Sequence, residues 1–183
     1  PEAVGEKWAE LWQQRLRENE PYLQKWLENQ VENDYWATGS IAGHYHQIQA
    51  ASLLIGGWHD GYPTPPLRVF EKLRAPKKLL VGPWSHTYPN SSHCGPRIDI
   101  HRELLRWWDH WLKGVDNGVE KEPAVQIYEQ HFEEPLADRT HIAGSWRMAD
   151  ALPADPAQIF YVNGDALQGD TPVQQHAASV PYL

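Results

Sequence analysis

The sequence predicts an α/β fold: the last strands and helices of a parallel sheet, preceded by helices and followed by the start of a β domain. Three observations carry this. Two short apolar runs, at 52–57 and 79–82, each end in glycine and read as strands buried on both faces of a parallel sheet. A proline-opened helical pattern lies between them, making a strand–helix–strand unit with a right-handed crossover. Helical periodicity dominates before residue 40, whereas alternation dominates after residue 119.

The elements follow in order. Residues 4–17 set Val4, Trp8, Leu11, Trp12 and Leu16 at helical spacing, with charges on the opposite side, which describes an amphipathic helix. Asn19 is expected to cap a second helix with Pro21 in its first turn and Tyr22, Leu23, Trp26 and Leu27 on its apolar side. Gly39 and Gly43 break the pattern after Trp36. The strand at 52–57 comes next. Pro63, Pro65 and Pro66 precede Leu67, Phe70 and Leu73, so a helix opens near Thr64. The second strand at 79–82 leads into a turn-rich loop, Pro89 to Pro96. Residues 98–113 form the clearest helix, with His101, Leu104, Leu105, Trp108, Trp111 and Leu112 as its expected inner face and Gly114 as its stop. Residues 124–128 and 158–162 alternate like half-buried strands, and Asn163-Gly164-Asp165 signals a turn. The expected division is 1–40 helical, 41–118 α/β and 119–183 β.

Composition limits the function. The chain has 183 residues, 41% hydrophobic and 22% charged, an ordinary globular balance. A net charge of -8 argues against a nucleic-acid partner and gives no attraction to anionic membranes. No apolar run approaches the ~20 residues of a membrane span, and no secretory signal stands at the start. The chain opens on Pro1 within a helical pattern and ends on Val180-Pro181-Tyr182-Leu183, which reads as a piece cut from a longer protein. The single cysteine, Cys94, precludes an intrachain disulfide and fits a reducing compartment, favouring a cytoplasmic location. The ten tryptophans read as core packing or as an aromatic ligand platform.

Chemistry concentrates at two strand ends, where parallel sheets place their ligands. Gly56-Gly57-Trp58-His59-Asp60-Gly61-Tyr62 follows the first strand, and Gly82-Pro83-Trp84-Ser85-His86 follows the second. Asp60 and His86 therefore leave adjacent strands at one edge of the sheet. A carboxylate there can accept the imidazole Nδ1 proton, fix the tautomer and stabilise the imidazolium formed in acyl transfer. The order acid before base agrees with the Ser, Asp, His order of α/β-hydrolases. A loop Asp is also a common turn former and a loop His is commonly structural, so spacing alone leaves those readings open. The nucleophile is missing. No Gly-x-Ser-x-Gly elbow occurs; Gly39-Ser40-Ile41-Ala42-Gly43 has its serine one place early, and Ser85 adjoins His86 on an extended loop.

Taken together, Gly-Gly-Trp-His-Asp-Gly-Tyr and Leu-Leu-Val-Gly-Pro-Trp-Ser-His resemble the CocE/NonD hydrolases, the family of cocaine esterase, glutaryl acylases and X-Pro dipeptidyl-peptidases. Asp34-Tyr35-Trp36 through Gly39-Ser40 resembles the approach to that family's penultimate hydrolase strand. Leu104 to Gly114 resembles the helix closing the hydrolase domain. Glu122 to Tyr128 and Ser145-Trp146-Arg147 resemble the start of its jelly roll. The resemblance implies that Asp60 is the triad acid and His86 the general base of a serine hydrolase acting on a small-molecule ester, an amide or a short peptide. It further implies that 1–40 end a helical cap, that the nucleophile lies upstream, and that no cofactor or metal is required; a homo-oligomer is compatible. The segment Gln130 to Gly144 is longer and more charged than the turn associated with cocaine esterase. Two other readings compete. One is a metal site built on the ten histidines, with His44 and His46 on a strand and His86, His93 and His101 close in sequence. The other is a non-catalytic binding module using the tryptophan-rich and β surfaces.

Overall fold

The computed structural model describes residues 2–153, 160–163 and 166–169. Helix α1 (Trp8–Glu18) is entered through a 3-10 turn at 5–7 and closes on Asn19, whose backbone N–H donates to the Arg15 carbonyl at 2.8 Å. Asn19 thus ends α1 and does not cap the next helix. With Tyr22 as the first residue of α2 (Tyr22–Glu28), the capping position falls on Pro21, which has no side-chain acceptor to offer. The single turn α3 (Asp34–Ala37) is capped by Asn33, whose side chain accepts from the Tyr35 N–H. The apolar sides of α1 and α2 are uncovered: Trp8, Trp12, Leu16, Leu23 and Leu27 are exposed, and so is Trp26, whose ring lies 6.4 Å from that of Trp36 between centroids. The early tryptophans are therefore not core in this chain.

Four strands form one sheet in the order β1 (Ser52–Gly57), β2 (Lys77–Gly82), β3 (Val125–Gln130), β4 (Gly144–Ala149). β1 and β2 are parallel, from Ser52 opposite Lys77 to Gly57 opposite Gly82. Helix α4 (Thr64–Lys72) crosses between them, with prolines in its first turn where a missing N–H leaves no bond unmade. β3 lies parallel to β2, with Leu79 opposite Val125, and antiparallel to β4. The sheet thus runs across the division expected at 118/119. Alternation at 124–128 identified a half-buried strand but could not say which sheet it joins. β5 (Phe160–Asn163) and β6 (Ala166–Gly169) pair antiparallel, with Asn163 opposite Ala166. Gln158 and Ile159 of the expected strand, Gly164 and Asp165 of the expected turn, and residues 154–157 and 170–183 of the expected β domain lie outside the described residues.

Strand periodicity sends successive β2 side chains to opposite faces. Leu79 and Val81 pack with Phe70 of α4 and Val125 of β3, while Leu80 packs with Trp84 and Ile100 on the other face. Ile100 opens helix α5 (Ile100–Lys113), which is capped by the Asp99 carboxylate and ends at Gly114 in the left-handed region. The buried side of α5 is not the expected one. Ile100 and Trp107 are buried and Leu104 partly so, whereas His101, Leu105, Trp108, Trp111 and Leu112 are exposed, Leu105 to 57% and Leu112 to 78%. The apolar arc of this helix is wider than the part that meets the sheet, so periodicity alone does not say which edge of the arc is buried. Contacts outside the helix do. Arg106 binds Glu122, which also binds the buried Lys78 of β2, and Glu103 stands 3.4 Å from Arg106. The link from Arg106 through Glu122 to Lys78, with the packing of Ile100 and Leu104 against Leu80 and Trp84, holds α5 at this rotation.

Candidate active site

Because β1 and β2 are parallel and in register, both exit loops emerge at the same edge. Backbone bonds continue the ladder past the strand ends: Trp58 N–H donates to the Gly82 carbonyl at 2.9 Å and His59 N–H to the Trp84 carbonyl at 3.0 Å. A Cβ at Gly57 would fall 2.2 Å from the Trp84 carbonyl oxygen, and one at Gly82 2.5 Å from the Trp84 ring. Only glycine allows the two loops to approach so closely. The chain then turns, with Asp60 N–H donating to the Gly57 carbonyl at 3.2 Å.

This turn aims the Asp60 carboxylate at the second loop. Oδ1 accepts the Tyr62 N–H at 2.9 Å, and Oδ2 lies 3.0 Å from His86 Nδ1. The Tyr62 N–H, followed by His86, holds the Asp60 carboxyl below its ordinary range, so it is an anion at neutral pH. An ionised carboxylate can only accept, so Nδ1 carries the hydrogen and Nε2 of a neutral ring is left as the acceptor. The two side chains differ in exposure, 20% for Asp60 against 84% for His86. The pair borders a concavity of about 540 Å³ whose apolar lining includes Ile55, Tyr88, Ile100, Leu104 and Trp108.

The structure thus brings Asp60 and His86 together. It does not bring Ser85 or Ser40 into the pair. Ser85 N–H donates to the Ser92 hydroxyl at 3.3 Å, and the Ser40 hydroxyl accepts from Ala42 N–H within a local turn. His44 and His46, expected on a strand, border and occupy the 3-10 turn Tyr45–Gln47, because the strand starts only at Ser52. Among the described residues no group of three His, Cys, Asp or Glu side chains is placed to hold a metal ion. Cys94 is half-buried and donates its thiol to the Arg139 carbonyl at 2.9 Å.

Sequence reasoning missed the support behind the pair. Trp84 is 1% exposed and its indole N–H donates to the Pro96 carbonyl at 2.9 Å; Ser92 is fully buried. The two glycines that admit Trp84 were the available signal. The charged segment Gln130 to Gly144 docks on the loop after His86. Gly95 N–H donates to the Thr140 carbonyl and Ile142 N–H to the Gly95 carbonyl, at 2.9 and 3.0 Å. Glu133 braces this segment by accepting from Ala143 N–H at 2.8 Å and pairing with Arg139 at 2.6 Å. A concavity of about 680 Å³ is lined by this segment together with His59 and His93, and Gln130 Nε2 lies 3.3 Å from His59 Nε2 at its border.

Residues 2–88 match the family model described as X-Pro dipeptidyl-peptidase (S15 family). The chain is 30% identical over 149 residues to a Mycobacterium bovis protein named as a serine esterase, covering 76% of this chain and 21% of that protein. Cocaine esterase of a Rhodococcus species is 24% identical over 125 residues, covering 60% and 22%. A solved CocE/NonD family hydrolase from Staphylococcus aureus superposes with a TM-score of 0.58 at 18% identity, over 79% of this chain and 24% of that one. The chain thus spans about a fifth of the length of the curated relatives it matches.

Proposed function

Given that this chain belongs to the CocE/NonD hydrolase family, we propose that it supplies the acid and the base of a serine hydrolase whose nucleophile comes from outside these 183 residues. The observation that carries the proposal is the 3.0 Å contact between Asp60 Oδ2 and His86 Nδ1 at the ends of neighbouring parallel strands. In this reading the serine hydroxyl approaches His86 Nε2. As the serine oxygen attacks an acyl carbonyl, Nε2 takes its proton, and the Asp60 anion stabilises the imidazolium. Collapse of the tetrahedral intermediate breaks the bond to the leaving alcohol or amine, and His86 returns the proton to it. Water then repeats the sequence on the acyl-enzyme.

The substrate is an ester, an amide or an X-Pro peptide, in keeping with the names of the relatives. In the same reading 1–40 end a helical cap, and the β segments after β4 begin a jelly roll. The test uses the longer protein from which such a chain would derive, assayed with a chromogenic acyl ester. His86→Ala is expected to abolish turnover, and in the longer protein with His86 intact a serine-directed phosphonate is expected to label a residue outside this chain. Undiminished turnover in the variant would defeat the assignment of the base. Phosphonate labelling of a serine within 1–183 would defeat the external nucleophile.

A further inference from the structure

We infer that Trp84 is the positioning residue that holds Asp60 and His86 in register, with Ser92 as its second support; the inference rests on the hydrolase reading of that pair. His86 is mostly in solvent, and its only side-chain hydrogen bond among the described residues is to Asp60. Its placement must therefore come from the backbone of its loop. Besides its local turns, such as Thr87 N–H to the Ser85 carbonyl, and the bonds of Gly95 to the 130–144 segment, that backbone is tied at three points through Trp84 or Ser92.

The Trp84 carbonyl accepts the His59 N–H, one residue before the acid. The Trp84 indole N–H reaches the Pro96 carbonyl, at the far end of the loop that bears the base, and closes that loop across twelve residues. The buried Ser92 hydroxyl accepts from Ser85 N–H, one residue before the base. The Trp84 ring is wedged over Gly82, beside Trp146 of β4 at 6.0 Å between centroids, and packs with Leu80 and Ile100. A ring locked on that many sides has one rotamer available, so its indole N–H is a fixed point for the second loop, and the backbone it anchors holds the Trp84 carbonyl against the first. An exposed pair joined by one hydrogen bond gains little from the bond itself, so what preserves its geometry is the rigidity behind it.

Trp84→Phe keeps most of the ring volume and deletes the bond to Pro96. Ser92→Ala deletes the bond to Ser85 with less disturbance of the core and serves if Trp84→Phe does not fold. The readout on this chain is the titration of the Asp60 carboxyl, followed by carbon NMR with and without His86→Ala. In the native background, removing His86 raises the Asp60 midpoint, because a partner that favours the anion is lost. In a folded Trp84→Phe or Ser92→Ala background the same removal is expected to raise it by less than half as much. A merely stabilising residue would leave that increment unchanged, and an unchanged increment in both variants overturns the inference. In the longer protein, kcat is expected to fall on the order of 10–100-fold at nearly constant KM, since misplacing a catalytic group by about 1 Å has effects of that size. If the increment shrinks but the longer protein lacks esterase activity, the hydrolase reading has failed and the positioning has not.

Discussion

Asp60 holds two jobs with two oxygens: Oδ1 closes its own turn on Tyr62 and Oδ2 meets His86. Asn can keep the first bond and at most offers its carbonyl to one of the two partners. Asp60→Asn is therefore expected to leave the chain folded but to lower kcat in the longer protein by roughly 10³–10⁴-fold, because the imidazole loses both its tautomer control and its counter-charge. Stopped assays with native-like circular dichroism check this; a loss below about tenfold would return Asp60 to the role of turn former. That Asp60 and His86 meet was legible in the sequence because both stand just past the ends of neighbouring parallel strands. Trp84 and Ser92 were not. Their roles depend on hydrogen bonds to residues seven and twelve positions away, which no local pattern encodes.

Helix α5 shows what periodicity can and cannot say. Its existence and its Gly114 stop follow from local chemistry, whereas its buried side depends on Lys78 of β2 and on Glu122, which precedes β3. Leu105→Ala is expected to change the stability of this chain by less than about 0.5 kcal/mol, as for an exposed site. Trp107→Ala, at a position 5% exposed, should cost about 3–5 kcal/mol. Urea titration of the two variants compares them directly, and equal costs would mean the helix is rotated in solution. The parallel pairing of β1 and β2 was readable for a similar reason as the Gly114 stop: glycine-ended apolar runs are short and self-contained. The partner of β3 was not, because alternation specifies one wet and one dry face without naming a neighbour.

For the molecule as a whole, several carboxyls lie below their ordinary values. For Asp60 and Glu133 the leading cause is a backbone N–H, that of Tyr62 and of Ala143 respectively. Burial pushes Glu122 upward, but Arg106 and Lys78 outweigh it. A lowered folded-state value adds stability above the unfolded-state value, near pH 4, that disappears as pH falls through the folded-state value. The melting temperature should hold between about pH 5 and 7 and drop below about pH 4; circular dichroism melts across that range decide it, and a flat profile would contradict the pairing. The 183-residue chain alone is expected to hydrolyse a chromogenic ester no faster than buffer, since it has an acid–base pair without an elbow serine. Turnover that vanishes on replacing a serine inside the chain would refute this. The ladder from β2 through β3 to β4 also bears on modularity. A recombination junction at 118/119 would put partner strands on different parents and require a foreign β3 to fit a native β2. A crossover after Ala149 would transfer the four strands as a single inherited block, so libraries of chimaeras should survive at the later junction and fail at the earlier one.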